Sequence, residues 1–432
     1  MKIILLLISI FASQILFAQS LAEPFFAAEP SRTPLTPYGR VVDAQSGNAA
    51  TSNYVAKLAE WQVSDDGTEY SSSFAVPVWW LNRQVIVRVG FSTSAYEVLL
   101  DGRRVGFATS GATPVEFNVT KRATEGRHTL TIRQIDAEQN RVNALFRAGV
   151  KPEISGVEVL CQPSIRIRDI VSLTTINNVG EGVTIFDLVV KCDALNRKHT
   201  RLGYIVRLND TTVLARGYQD VTLDMRREDT LRFMARVPQN ALWSPENPHT
   251  MTIEIESRMD NRIAECLHHT LGARAVDVAD GTLYINHRPV KLCLANYDST
   301  KPISEQVADG VNGVVVPAYY ATDKLLDECD KRGIIVFVQT AIDTVPLGDH
   351  IRRGGNPSND PFWLESYLAF NRASYYATRH HPSVVGYALA SGKTTGINVY
   401  ESYLLLKNLE LRLPIIYEGA GGEWCSDNLL IR

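Results

Sequence analysis

Four carboxylates, Asp298, Asp343, Glu418 and Glu423, fall near the C-terminal ends of apolar runs that read as strands. Paired acids and bases are what proton-transfer chemistry needs, but loops at strand ends are ordinarily polar and solvated, so each of the four also reads as a surface charge. Three tryptophans, the pair Trp79–Trp80 and Trp424, could lay an aromatic face against a sugar ring. The adjacent pair reads more readily as core or domain-interface packing. Two adjacent histidine pairs, His268–His269 and His380–His381, offer imidazole nitrogens. Side chains at i and i+1 point to opposite faces of a strand, so no shared metal ion is expected. The six cysteines (Cys161, Cys192, Cys266, Cys293, Cys329 and Cys425) are widely spaced with no Cys-x-x-Cys pair, which argues against zinc. They read either as disulfides or as buried thiols. No metal and no cofactor is expected.

The elements that must position these residues follow from the chain's patterning. Lys2, an apolar stretch over 3–17 interrupted by Ser9, Ser13 and Gln14, and the small Ala18 make residues 1–18 a secretory signal peptide. The stretch is shorter and more broken than a membrane span of about 20 apolar residues. No cysteine sits at the cleavage site, so no lipid anchor is expected. The mature protein is expected in a periplasm or outside the cell, with no membrane span. The net charge of −3 supplies no basic excess for a nucleic-acid partner. Asn118-Val119-Thr120 and Asn209-Asp210-Thr211 fit the glycosylation sequon, which matters only in a eukaryotic secretory host.

Residues 19–53, rich in Pro, Ala and Ser, read as a loose arm. Over 54–156 short strands alternate with turns: Val85, Val87 and Val89 share one face, Ile86 and Arg88 the other, and Asp101-Gly102 marks a turn. This predicts a jelly-roll β-sandwich. Over 157–274 about seven more strands predict an immunoglobulin-like β-sandwich. Over 275–432 the pattern changes to strands at 290–295, 313–317, 334–338, 384–389 and 414–417, separated by amphipathic helices. Thr322 and Gly333 read as helix cap and stop, and Asp360-Pro361 as a helix start. The fold class is therefore multidomain β plus α/β, ending in an incomplete (β/α) barrel of about five βα units.

This order of domains, together with five local strings, resembles glycoside hydrolase family 2, the β-galactosidase and β-glucuronidase group. The strings are Val105-Gly106 followed by Val115-Glu116-Phe117; Leu242-Trp243-Ser244-Pro245-Glu246-Asn247-Pro248; Leu283-Tyr284-Ile285-Asn286-His287-Arg288-Pro289-Val290; Arg379-His380-His381-Pro382-Ser383-Val384-Val385; and Pro414-Ile415-Ile416-Tyr417-Glu418-Gly419. The resemblance implies a retaining β-glycosidase site: two carboxyl groups about 5–5.5 Å apart, at the C-terminal ends of barrel strands. It places the acid/base glutamate at the end of a Trp-Ser-Leu-Gly-Asn-Glu string, which here is Tyr387-Ala388-Leu389-Ala390-Ser391-Gly392. Gly392 stands at the acid and Ser391 at its asparagine neighbour. The resemblance puts the nucleophile on a later strand, beyond Arg432. A family arginine and histidine align with Val315 and Ala318, and an Asp-Glu pair with Val338 and Gln339. Asp298 occupies a histidine position, while Asn296 and Tyr319 match. Glu418 matches a position that is not one of the two catalytic groups.

The chain is thus expected to be a truncated, catalytically inactive relative of the family, exported and acting as a scaffold or assembly component of the cell envelope. One alternative is a carbohydrate-binding protein using the jelly roll, with Trp79, Trp80, Asn296, Tyr319 and Trp424 as weak candidates for the contact. Another is a β-glycosidase hydrolysing O-glycosyl bonds with non-standard carboxylates. Five βα units leave two open sheet edges, and each unpaired buried backbone group costs about 1–3 kcal/mol. The arm, a second copy of the chain or an envelope protein is expected to cover them.

Overall fold

The computed structural model describes residues 25–58, 60–109, 112–135, 153–208, 211–308, 310–344, 356–392, 394–420 and 425–431. The expected signal peptide, Glu423 and Trp424 lie outside the described residues.

The first sandwich packs a six-stranded sheet on a four-stranded one. Gln84–Ser92 lies in the smaller sheet, and its Val85, Val87 and Val89 enter the core with Tyr96, Phe117 and Leu130. The opposite face of that strand is buried as well. Arg88 donates to Glu116 and to the Leu35 carbonyl oxygen at 2.7 Å, and Arg32 from the arm forms two bonds to the same carboxylate, at 2.8 and 3.0 Å.

The arm is therefore not loose. Arg32, Thr33, Leu35 and Tyr38 are buried, and the Tyr38 and Cys266 backbones exchange hydrogen bonds at 2.9 and 2.8 Å. Its proline-rich composition hides anchors that act singly rather than with a strand or helix period. The boundary expected at 156/157 moves too. Ile154–Gln162 pairs along its length with Gln84–Ser92, so this sandwich runs to Gln162.

In the second sandwich, Ile165–Ile176, Gly182–Cys192 and Glu228–Val237 face a four-stranded sheet built from Thr212–Leu223, Lys198–Leu208, Met251–Met259 and Arg262–Leu271. Phe186, Leu188, Val190, Leu202 and Val206 fill the space between. Trp243 is fully buried, and its Nε1 donates to the Asp330 carbonyl oxygen at 2.9 Å, fixing this sandwich to the next unit. Arg379 does the same from the other side, donating to Asp169 at 2.7 Å and reaching Thr33 Oγ1 of the arm.

After a three-stranded antiparallel ribbon over Val276–Ala279, Thr282–Ile285 and Arg288–Val290 comes a five-stranded parallel sheet. Its order is β1 (Leu294–Asn296), β2 (Gly313–Pro317), β3 (Ile335–Gln339), β4 (Val384–Ala388) and β5 (Ile415–Ile416). Between the strands lie α1 (Ile303–Gln306), α2 (Asp323–Arg332), α3 (Leu364–Thr378) and α4 (Ile397–Leu409). The physical signals read from the sequence act here. The Thr322 side chain accepts from Leu325 N to cap α2, and Gly333 ends it at φ 70. A Cβ on Gly333 would stand 2.1 Å from the Pro245 carbonyl oxygen, so only glycine fits. Asp360 accepts from Phe362 N at the turn that leads into α3.

The outer strands are not bare at their N-terminal ends. The Asp427 carboxylate accepts from Ile415 N, and Asp427 N donates to the Ile415 carbonyl, each at 2.8 Å. A few residues on, Leu430 N donates to the Gly281 carbonyl and Ile431 bridges Leu292 in parallel. The segment 425–431 thus spans from β5 to the start of β1 beneath the sheet. Among the described residues, the arm is bonded to this unit through Arg379 and Thr33.

All six cysteines are free thiols, buried except for the half-buried Cys293. Among the described residues, no helix is long and apolar enough to cross a membrane.

Candidate functional site at the mouth of the parallel sheet

The C-terminal ends of β3, β4 and β5 converge on one hydrogen-bonded cluster. Ser391 N and Oγ both donate to the Ile342 carbonyl, at 2.8 and 3.0 Å. Thr344 N and Oγ1 return bonds to the Ser391 carbonyl, at 3.0 and 2.8 Å. The Thr344 and Tyr417 hydroxyls lie 2.9 Å apart, and Tyr417 OH donates to the Thr394 carbonyl at 2.9 Å. Gln339 Nε2 reaches the Ala390 carbonyl at 3.4 Å. Hydroxyls and amides from three strand ends are thereby spent on backbone carbonyls.

Gly392 sits inside this cluster at φ 89. A Cβ there would stand 2.6 Å from Thr344 Oγ1 and 3.5 Å from Asp343 Oδ1. Both the backbone angle and the space disfavour any side chain at the position that the family resemblance gives to the proton donor. Burial pushes the Tyr417 phenol up to about 12, so it stays neutral near pH 7 and acts as a hydrogen-bonding group.

The other positions divide by place. Val338 is fully buried and Ala318 nearly so, and Val315 is half-buried, so apolar groups stand where the resemblance expects charge. Asn296 is exposed at the end of β1, and Tyr319 is half-buried after β2 against the core of this unit. Asp298 is held in its own loop: its carboxylate accepts from Thr300 N and Oγ1 at 2.9 and 2.6 Å, and these bonds hold it below the usual carboxylate range. Glu418 is exposed. Trp79 and Trp80 belong to the first sandwich, far along the chain from this mouth. Trp80 is core, its Nε1 donating to the Asn53 carbonyl at 3.0 Å, whereas Trp79 is 63% exposed.

Residues 276–431 match the family model described as glycosyl hydrolases family 2, TIM barrel domain. The partial barrel of this chain belongs with the TIM barrel domain of glycoside hydrolase family 2. Within the family, a β-galactosidase of Priestia megaterium is 24% identical over 386 residues, covering 81% of this chain and 36% of that protein. One from Pectobacterium atrosepticum is 25% identical over 384 residues, covering 82% and 36%. The chain thus spans about a third of the length of these relatives. Among solved structures, β-glucuronidase 2 of Bacteroides uniformis superposes with a TM-score of 0.65 at 16% identity, over 81% of this chain and 46% of that one. A β-galacturonidase of Eisenbergiella tayi gives 0.64 at 18%, over 81% and 63%. These likenesses cover the β-sandwiches and the partial barrel of the family 2 fold.

Sequence reasoning placed Gln339, Ser391 and Gly392 at the family 2 mouth, and the structure brings them together. It missed Thr344 and Thr394. Neither lies in a strand or a matching string, and their roles come from contacts with residues 47 and 23 positions away along the chain.

Proposed function

We propose that this family 2 relative does not hydrolyse glycosides at this mouth and serves as an exported scaffold or assembly component of the cell envelope. The observation that carries the reading is Gly392: the family's proton-donor position has no side chain and a left-handed backbone, and a Cβ there would meet the Thr344 hydroxyl at 2.6 Å. Glycine has no proton to give, so departure of the sugar's leaving oxygen lacks its acid. Lys2, the apolar stretch and Ala18 support export. Affinity capture from the native envelope, with cross-linking, tests the scaffold role: a stoichiometric partner or self-association supports it, and a lone monomer under native conditions opposes it.

A second reading has its own observation. Trp79 is exposed beside the exposed Val78 and Leu81 on the first sandwich, an apolar patch suited to the face of a sugar ring. Glycan-array binding that disappears in Trp79→Ala distinguishes carbohydrate binding from the scaffold role.

A further inference from the structure

Outside the mouth, the strongest concentration of ligating side chains lies where the second sandwich meets the partial barrel. Asp323, Asp327 and Asp330 occupy positions i, i+4 and i+7 of α2 and so share one helix face. That face looks onto His381. His381 Nδ1 lies 2.7 Å from Asp330 Oδ2 and 3.7 Å from Asp327 Oδ1, and its Nε2 lies 3.8 Å from Asp323 Oδ1.

The adjacent-pair argument from the sequence does not apply to these histidines. His380 and His381 follow the end of α3 in a turn, where His381 N bonds the Thr378 carbonyl, and their ring centroids are 4.1 Å apart. The His269 ring of the second sandwich packs on His380 at 4.5 Å.

Two observations separate this group from an ordinary acidic surface. First, His381 is 3% exposed, yet its Nε2 makes no hydrogen bond, and His380 Nδ1 makes none either. Burying such a nitrogen without a partner costs about 1–3 kcal/mol. Second, the outer support is already built. His381 Nδ1 bonds Asp330; burial pushes the ring down, but Asp323 and Asp330 outweigh it and bring it up to about 9, so a metal ion at Nε2 would take the place of a proton. Asp330 is itself held by Ser383 N at 2.9 Å. A carboxylate that orients an imidazole this way is the usual second layer of a metal site. One donor atom from each of Asp323, His380 and His381 lies within 4.8 Å of the other two.

We propose that Asp323, His380 and His381 form a binding site for a divalent transition-metal ion of the zinc type, at the junction of the second sandwich and the partial barrel. Two imidazoles and one carboxylate match that class, whereas Ca2+ and Mg2+ prefer all-oxygen sets. Donor atoms of a tetrahedral zinc ion stand about 3.4 Å apart. The Asp323 side chain, 71% exposed, can close the remaining gap by rotating. Water completes the coordination from that open side. Bound metal would lock the turn after α3 against α2, beneath His269 of the sandwich. The inference is independent of how the mouth is read.

Calorimetric titration of the metal-stripped full chain with ZnCl2, alongside thermal unfolding, tests the site. One Zn2+ per chain is expected, with a raised unfolding midpoint. Asp323→Ala removes a carboxylate that faces the buried His381, so its metal-free unfolding midpoint serves as its own baseline, while its zinc affinity should fall at least about tenfold. His380→Ala should weaken binding similarly. Absence of saturable binding up to about 1 mM Zn2+ overturns the proposal. So does binding at parental affinity in both variants, which would place the ion elsewhere, for example on thiols.

Discussion

Thr344 Oγ1 stands 2.6 Å from the point where a Cβ on residue 392 would lie. Restoring the family's acid therefore means displacing a hydroxyl that is already bonded to the Ser391 carbonyl and adjacent to Tyr417. Gly392→Glu is expected to lower stability by about 2 kcal/mol or more, from the left-handed backbone and the overlap together, and to yield no glycoside turnover. Denaturant unfolding and a chromogenic assay read the two effects. A stable, active variant would contradict the account of the mouth.

Glu116 predicts an acid limb. Burial alone would raise its carboxyl, but the Arg32 and Arg88 guanidinium groups outweigh that and bring it down to about 2. Burial pushes the Arg32 guanidinium down as well, with Glu116 opposing it. A carboxylate depressed in the folded state contributes stability that is present above its unfolded pKa of about 4.5 and lost as pH falls toward 2. Unfolding midpoints should drop across that window, and Glu116→Gln should flatten the drop. The variant itself should lose about 3 kcal/mol at pH 7, because two buried arginines are left without their carboxylate.

The tryptophan pair should split. Trp80→Ala removes a core ring and is expected to cost about 3–5 kcal/mol. Trp79→Ala should change stability by no more than about 0.5 kcal/mol. Only the second change should alter binding to a glycan or partner while leaving unfolding untouched.

Arg379 should govern how firmly the partial barrel sits on the second sandwich. Arg379→Met leaves Asp169, whose side chain is 2% exposed, without its cation and is expected to cost about 3 kcal/mol. Limited proteolysis should then cut first within residues 275–432. Adding Asp169→Asn should restore part of the loss.

Much of the parallel unit is legible because its signals are local. The run Gly313–Pro317 is bounded by the residues that bound β2, and Thr322, Gly333 and Asp360 act as the caps their types suggest. Where tertiary contacts decide, the reading shifts. The expected strand over 290–295 splits, because Arg288–Val290 joins the antiparallel ribbon before Leu294–Asn296 enters the sheet. Helix α1 stops at Gln306, whose Nε2 turns back to the Asp298 and Lys301 carbonyls. The arm's role is illegible because Arg32 finds Glu116 84 positions away, with no periodicity to announce it. At the mouth, the absent acid is visible in the string, but the hydroxyl that fills its space is not.

The most direct test is turnover of chromogenic β-galactosides, β-glucuronides and β-mannosides by the purified full chain, with Asp298→Asn, Asp343→Asn and Glu418→Gln variants assayed in parallel. The account predicts no release above the buffer rate for any of them. Saturable release of a monosaccharide, abolished by one of those substitutions, would contradict it.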